Sequence, residues 1–221
     1  MRNIAYCEIL WNIATYCDIL WNIAYCKILR NIAKYSDITF EWYGLLNDKN
    51  ILNWEIVWEK DTFYEYITTN LKIHLEYIYN KQVVNKSELN KITHVFESHK
   101  ETINNTKSHL VHHDLADHNL MYNTQSKWLG AIFDWEAMVL WDPMLDLWSC
   151  VTWETHYFRK TQLIAWYKSI KKLPQDYELR MDLYELRTWI WKIMFIIRMG
   201  FCDQILKRSI ISMKEVLSKF N

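Results

Sequence analysis

The sequence predicts a mainly helical α+β domain with one small β-hairpin near its middle. Over long stretches the apolar residues recur at helical spacing, which is typical of amphipathic helices that share a core. Residues 108–134 depart from this pattern, because short apolar runs there flank a polar loop and a turn. The composition of the 221 residues, 51% hydrophobic and 24% charged, is that of an ordinary globular protein.

An internal repeat occupies residues 3–38, where Asn-Ile-Ala recurs at positions 3, 12, 22 and 31. No glycine or proline interrupts the copies, and their composition favours a helix. Such a helix would be apolar around most of its circumference and would need a partner to cover it. We therefore expect residues 1–38 to be a helical repeat segment that could bind a partner chain, and residues 39–221 to be a separate folded domain.

Residues 39–106 read as a loop with short elements followed by helices. Asn47–Asn50 is a turn signal. Thr62 and Glu65 form a capping-box pattern, which predicts the start of a helix. The apolar residues that follow at helical spacing are Phe63, Ile67, Leu71, Leu75 and Ile78. Ser87 is predicted to cap a further helix, whose apolar face comprises Leu89, Ile92, Phe96 and Ile103.

The hairpin and a second helical region make up the rest of the chain. We predict strands at Leu120–Tyr122 and Trp128–Phe133, joined by a turn at Asn123–Ser126. Asp142 and Pro143 predict a helix start, with aspartate as the N-cap and proline at the first helical position. Residues 143–219 then read as helices that are broken once, at Pro174. Their longest apolar stripe comprises Leu179, Leu183, Leu186, Ile190, Ile193 and Ile197.

Charge, cysteine and glycine usage exclude several classes of protein. Lysine plus arginine equals aspartate plus glutamate at 26 each, which argues against nucleic-acid polymers and membrane surfaces as partners. No secretion signal or membrane-spanning run is visible. The five cysteines form no C-x-x-C pair, so we expect neither a disulfide framework nor a thiolate metal site. This cysteine usage fits a protein of the reducing cytoplasm. The three glycines are too far apart for a dinucleotide-binding or P-loop motif.

The chemistry concentrates in the hairpin region. Residues 112–119 fit the pattern H-x-D-x-x-x-x-N, and Asp134 follows fifteen residues after Asn119, at the end of a predicted strand. This spacing is similar to the catalytic set of protein kinases, H-R-D-x-x-x-x-N followed by D-F-G. Phosphoryl transfer needs a carboxylate that accepts the proton of the attacking hydroxyl, and oxygen ligands for Mg²⁺. A loop that returns from Asp114 to Asn119, followed by a hairpin, would bring these three side chains to one site.

Histidines offer a different reading of the same loop. His109, His112, His113 and His118 lie close in sequence, and imidazole is a good ligand for zinc and iron. A hydrolytic histidine–aspartate metal site would need further ligands from other helices, because the spacing here supplies no i, i+4 pair. Taken one at a time, these histidines are better explained as hydrogen-bonded structural residues.

The sequence VHHDLADHNLMYN, followed by GAIFDWEAMVLWDPMLDL, resembles the aminoglycoside phosphotransferase and choline kinase-like family over roughly residues 31–200. The resemblance implies the C-terminal lobe of a protein-kinase-like fold. It also implies that Asp114 is the catalytic base and that Asn119 and Asp134 bind Mg²⁺ and, through it, the nucleotide. Asp146 would hold the catalytic loop by its backbone, and His112 would shape that loop.

Three departures from the family pattern accompany this resemblance. His113 and Trp141 stand where the family has glycine, and a tight turn is expected at the second position. The N-terminal lobe, with its nucleotide-covering loop and phosphate-binding lysine, is expected to be missing. Two hypotheses stay open. The chain is an ATP- and Mg²⁺-dependent O-phosphotransferase for an aminoglycoside or amino-alcohol hydroxyl, or it is a non-catalytic remnant or protein-interaction module.

Overall fold

The structure, a computed structural model, describes residues 39–40, 44–45, 60, 62–114, 119–123, 128–135, 138–152, 164–165, 167–169 and 171–220. The predictions for the repeat at residues 1–38 and for the turn at Asn47–Asn50 lie outside these residues. So do the interior of the predicted hairpin turn and His118 of the catalytic loop.

Helices account for most of the described chain, as the apolar periodicity predicts. They are α1 (Phe63–Ile67), α2 (Leu71–Asn80), α3 (Lys86–Ser98), α4 (Lys100–Asn104), α5 (Met144–Thr152), α6 (Tyr177–Met199) and α7 (Asp203–Ser218). Helix α6 packs against α2, α5 and α7, so it forms the centre of the helical core. In the described part of the chain, no helix has the length and apolar content that crossing a bilayer requires.

The described part of the chain contains two antiparallel sheets, where the sequence predicted a single hairpin. The predicted hairpin consists of β4 (Leu120–Asn123) and β5 (Trp128–Ile132). The other sheet has four strands, namely β1 (Thr39–Phe40), β2 (Gly44–Leu45), β3 (Ser108–Val111) and β6 (Val139–Trp141), in the order β1-β3-β6-β2. The prediction of one hairpin was therefore incomplete, because strands of two or three residues such as β1, β2 and β6 leave too short an alternation pattern to recognise.

The apolar stripe from Phe63 to Ile78 is buried as predicted, but two helices carry it. Thr62 caps α1 by accepting the backbone N–H of Glu65 at 3.2 Å. The chain then turns, and Asn70 takes a left-handed conformation with φ of 57° before α2 begins. Asparagine is one of the few residues that adopts this conformation readily. The two short helices can thus present one apolar face without forming a continuous rod.

The predicted cap of α3 was wrong by two residues. Asn85, not Ser87, is the N-cap, and its side chain accepts the N–H of Glu88 at 2.9 Å. The Glu88 carboxylate returns the contact by accepting the N–H of Asn85 at 2.8 Å, which completes a capping box. Asn85 is favoured over Ser87 as the N-cap, because this reciprocal pair satisfies two backbone N–H groups at the helix start that would otherwise have no partner.

Helix α6 follows the predicted stripe and ends at a glycine. Leu183, Leu186, Ile190 and Ile193 are buried, while Leu179 and Ile197 at the two ends of the stripe are half-buried. Gly200 caps the C-terminus with φ of 70°, a left-handed conformation that costs glycine little. The break that Pro174 predicts lies just before Tyr177, where α6 begins.

Arg187 of α6 links the core helix to the end of α1. Its guanidinium donates to the carbonyl of Ile67 at 2.7 Å and to that of Thr69 at 2.9 Å. These carbonyls lie at or just after the end of α1, where backbone carbonyls have no intrahelical partner. Burial lowers the pKa of Arg187 to about 10, which still leaves the guanidinium charged at neutral pH.

His74 on α2 makes the stability of this region depend on pH. Burial, and then the charge of Arg187, lowers the pKa of His74 from 6.5 to about 4. Between these values the unfolded chain binds a proton that the folded chain excludes, so stability falls as the pH drops from about 6.5 towards 4. Urea unfolding at pH 7, 6 and 5 should therefore show a smaller loss of stability in His74→Gln than in the wild type. Equal losses in the two proteins would contradict this assignment.

Candidate functional site

The segment that follows β3 is fixed by a buried carboxylate on α5. Asp146 lies in the first turn of α5 and is fully buried. Its Oδ2 accepts the N–H of His112 at 3.0 Å, and its Oδ1 accepts the N–H of His113 at 2.9 Å. Each carboxylate oxygen thus holds one backbone donor, and the chain entering Asp114 is held in one conformation.

Two residues that flank the site have left-handed backbones. His113 has φ of 71°, and Asp134 has φ of 60°. His113 stands where the resemblance expects glycine, which is the residue that adopts this conformation without steric cost. Histidine and aspartate are enriched among the non-glycine residues that do so. The backbone shape that a glycine would give is therefore present here without it.

Asp114 and Asn119 are brought into direct contact. The amide nitrogen of Asn119 donates to the backbone carbonyl of Asp114 at 2.8 Å and to its carboxylate Oδ2 at 3.1 Å. Asn119 is buried and Asp114 is half-buried, so the contact closes the loop at its base. Because the amide nitrogen makes both hydrogen bonds, the amide oxygen is the atom of Asn119 suited to a cation.

Asp134 follows β5 at the open end of the hairpin. Leu120 pairs with Ile132, and the N–H of Phe133 donates to the carbonyl of Asn119 at 2.8 Å. These contacts make Asn119 and Asp134 neighbours across the ends of adjacent strands. The side chain of Asp134 is exposed, which leaves its carboxylate accessible.

His112 connects the loop to the segment that carries Asp134. It is fully buried, and its Nε2 donates to the carbonyl of Phe133 at 2.7 Å. Its ring meets the edge of Trp135 with centroids 4.7 Å apart, while Trp135 donates to the carbonyl of Ile132 at 2.9 Å. A nitrogen that donates to a carbonyl cannot also ligate a metal through the same position.

The histidine–aspartate metal alternative gains no support from the described residues. Within them, no group of three histidine, cysteine, aspartate or glutamate side chains is placed to hold a metal ion. His118 lies outside that part of the chain. Asn119 and Asp134 offer an amide oxygen and a carboxylate, which are donors of the kind that Mg²⁺ prefers.

The expectation of a tight turn at Trp141 was wrong. Trp141 lies in β6, opposite His109 of β3, and is buried. Its ring makes edge contacts with Phe63 at 4.8 Å and with Tyr66 at 4.7 Å between centroids. The large side chain fits because it fills the space between the sheet and α1.

Asp142 belongs to a buried polar network that the sequence did not reveal. Its Oδ1 accepts the N–H of Met144, as predicted for a helix cap. Its Oδ2 accepts the hydroxyl of Tyr184 at 2.7 Å and lies 3.2 Å from the guanidinium of Arg180. Arg180 also binds the carboxylate of Asp176 at 2.9 Å. A buried charge needs such partners, because desolvation is costly without them.

The network fixes the ionisation of its members. Burial opposes the charge of Arg180, but the Asp142 and Asp176 carboxylates outweigh it and raise the pKa of Arg180. Burial and then the Asp142 carboxylate raise the pKa of Tyr184 well above its usual value. Arg180 thus stays charged and Tyr184 stays protonated at physiological pH. Periodicity would assign both residues to the polar margin of an amphipathic helix, so nothing in the sequence distinguishes them.

Comparison with known proteins gives one family and a set of similar folds. The profile of the phosphotransferase enzyme family matches residues 59–184. A search of curated protein sequences gives no match. The family match includes Asp114, Asn119, Asp134 and Asp146, and it also extends to Arg180 and Tyr184 of α6.

Three solved structures illustrate the similarity of fold. The streptomycin–ATP complex of aminoglycoside phosphotransferase APH(2″)-IIa has a TM-score of 0.58 at 16% identity, over 90% of this chain and 62% of that one. A candidate fructosamine-3-kinase from Haemophilus somnus 129PT has a TM-score of 0.63 at 14% identity, over 90% of this chain and 63% of that one. A thermostable mutant of aminoglycoside phosphotransferase APH(4)-Ia, in its apo form, has a TM-score of 0.54 at 15% identity, over 73% of this chain and 54% of that one.

These identities are low, so the three likenesses establish the fold alone. The chain spans between 54% and 63% of the length of these solved proteins. What it shares with them is a mainly helical domain that carries small antiparallel sheets.

Proposed function

Because the chain belongs to the phosphotransferase enzyme family, we propose that it carries the catalytic loop of an ATP- and Mg²⁺-dependent O-phosphotransferase. The acceptor would be the hydroxyl of a small amine-bearing molecule, either an aminoglycoside or an amino-alcohol. The observation that carries this proposal is the contact between Asp114 and Asn119, in which the amide nitrogen of Asn119 holds the Asp114 carboxylate. Such a loop needs an oriented base beside a metal ligand.

Asp114 is proposed to orient the acceptor hydroxyl and to accept its proton. Its Oδ2 is occupied by the amide of Asn119, so Oδ1 is the oxygen that would meet the hydroxyl. Asp146 supports this geometry indirectly, because it fixes the backbone of the two residues before Asp114. Positioning of this kind lowers the barrier by removing orientational freedom before the reaction.

Asn119 and Asp134 are the residues proposed to hold Mg²⁺. Bound there, the ion would neutralise charge on the phosphates of ATP. The described residues contribute the amide oxygen of Asn119 and the exposed carboxylate of Asp134. The hairpin register and the hydrogen bond from His112 to Phe133 support this choice, because they hold the backbones of Asn119 and Asp134 beside the paired ends of β4 and β5.

The proposed acceptor class is supported by the names of structurally similar proteins. One of them is a complex of an aminoglycoside phosphotransferase with streptomycin and ATP, and another is a candidate fructosamine-3-kinase. Both names describe acceptors that combine amine and hydroxyl groups. These names set the choice of substrates to assay.

A binding experiment tests the nucleotide and metal parts of the proposal. We expect ATP with Mg²⁺ to raise the unfolding temperature of the wild type, by an amount equivalent to about 2.7 kcal/mol at a hundred times Kd. Asp134→Asn should lose most of this stabilisation, because it removes the anionic member of the proposed pair of ligands. The measurement is thermal unfolding with ATP and MgCl₂, and again with ATP and EDTA.

Asp203→Asn provides the matched control for that experiment. Asp203 is an exposed carboxylate in the first turn of α7, so its replacement changes charge equally without touching the proposed site. We expect it to retain the full Mg²⁺–ATP stabilisation. If millimolar Mg²⁺–ATP stabilises none of the three proteins, the proposal fails and the non-catalytic alternative is favoured.

A further inference from the structure

The side chain of Arg180 contacts two chain segments that are far apart in sequence. The side chain is buried, and its Nη1 contacts both the hydroxyl of Thr106 and the Oδ2 of Asp142. Its Nη2 donates to the carbonyl of Asn105 at 3.3 Å. One guanidinium therefore joins the segment just before β3 to the segment just after β6. The planar, multidentate geometry of arginine suits such a junction.

Both segments lead directly to the candidate site. From Thr106 the chain runs through β3 to His112. From Asp142 it enters the first turn of α5, which carries Asp146. Strands β3 and β6 are paired along this path. The two routes that begin at Arg180 meet again where Asp146 accepts the N–H groups of His112 and His113.

Tyr184 completes the junction on the α5 side. Its hydroxyl donates to the Oδ2 of Asp142 at 2.7 Å, so Asp142 is held by α6 through one oxygen. Through Oδ1, the same carboxylate accepts the N–H of Met144 at the start of α5. The Asp142 carboxylate thus connects α6 to the start of α5, the helix that carries Asp146. All three side chains, Arg180, Asp142 and Tyr184, are more than nine-tenths buried, so water cannot replace these contacts.

We propose that Arg180 and Tyr184 are positioning residues for the catalytic loop. By holding Thr106 and Asp142 together, they set the separation of β3 from α5 on which the contact between Asp146 and the loop depends. The catalytic meaning of this arrangement rests on the proposed function. The structural link from Arg180 and Tyr184 to the loop does not rest on the proposed function, because it can be measured at the amides of His112 and His113 without any turnover.

Native-state hydrogen exchange of Tyr184→Phe tests the link. This change removes one hydroxyl donor and keeps the ring, so the Asp142 carboxylate loses one of its contacts to α6. We expect the amides of His112 and His113 to exchange at least about tenfold faster than in the wild type, after correction for global stability, since a hydrogen bond to a charged group is lost. Amides in the middle of α7 should follow global stability alone.

Val216→Ala is the matched control. Val216 is buried in α7, a helix that contributes no member of the junction, and its truncation destabilises the fold without removing a polar contact. A general loss of stability would accelerate the loop amides equally in Val216→Ala and in Tyr184→Phe, and this outcome would overturn the proposal. Selective acceleration in Tyr184→Phe would support it.

Thr106→Val gives a second route to the same answer if Tyr184→Phe does not fold. It removes the hydroxyl that Arg180 contacts on the β3 side and keeps a similar volume. Selective exchange at His112 and His113 supports the link, whereas unchanged exchange at these amides refutes it. Because neither measurement involves ATP, absence of phosphoryl transfer would refute the proposed function and leave this inference standing.

Discussion

Replacement of Asp114 by asparagine should reduce phosphoryl transfer from ATP by about 10²–10⁴-fold, the usual contribution of a positioned general base. The asparagine oxygen can still accept the hydrogen bond that Asn119 donates, and the backbone carbonyl contact does not involve the side chain. We therefore expect the free energy of unfolding to change by less than about 0.5 kcal/mol. Transfer of labelled phosphate from ATP to an aminoglycoside and to choline gives the rate, and urea unfolding gives the stability.

The control for Asp114 is again Asp203→Asn, which changes one exposed carboxylate outside the proposed site. It should transfer phosphate at the wild-type rate. Undiminished transfer in Asp114→Asn would remove this residue from the mechanism. A rate loss that accompanies a large loss of stability would show that Asp114 supports the fold instead.

Replacement of Asp142 by alanine should destabilise the protein by about 3–5 kcal/mol, the usual cost of removing one partner from a buried ion pair. The Asp142 side chain is 1% exposed, and it serves Arg180, Tyr184 and the N–H of Met144 at once. Without it, the Tyr184 hydroxyl loses its acceptor and Arg180 retains Asp176 as its only paired carboxylate among the described residues. The free energy of urea unfolding measures this effect.

Asp176→Ala separates the effect of burial from the effect of charge. Asp176 binds the same guanidinium, but its side chain is 32% exposed. Water can replace part of this contact, and Asp142 still neutralises the arginine. We expect a loss of about 1 kcal/mol or less, as for a partly exposed pair. Equal losses in the two variants would show that the buried network contributes no more than a surface ion pair.

The sequence alone determined the elements and residues whose signal is local. The stripe of α6, the hairpin of β4 and β5 and the cap at Asp142 each follow from neighbours within a few positions. The spacing of Asp114, Asn119 and Asp134 is also readable, because one loop and one hairpin carry all three. In such cases periodicity and turn chemistry act over distances that a sequence window includes.

Only the tertiary structure decided how distant segments meet. Arg180 contacts Thr106 across 74 residues, and Asp146 contacts His112 across 34. The four-stranded sheet pairs segments such as β1 and β3 that no periodicity connects. The residue His113, whose backbone is left-handed, likewise has its N–H held by Asp146 from another part of the chain. Local patterns do not predict these features, because burial and long-range hydrogen bonds, which local propensity does not encode, select the partner of each polar group. The contact of Asp146 is expected only from the family resemblance.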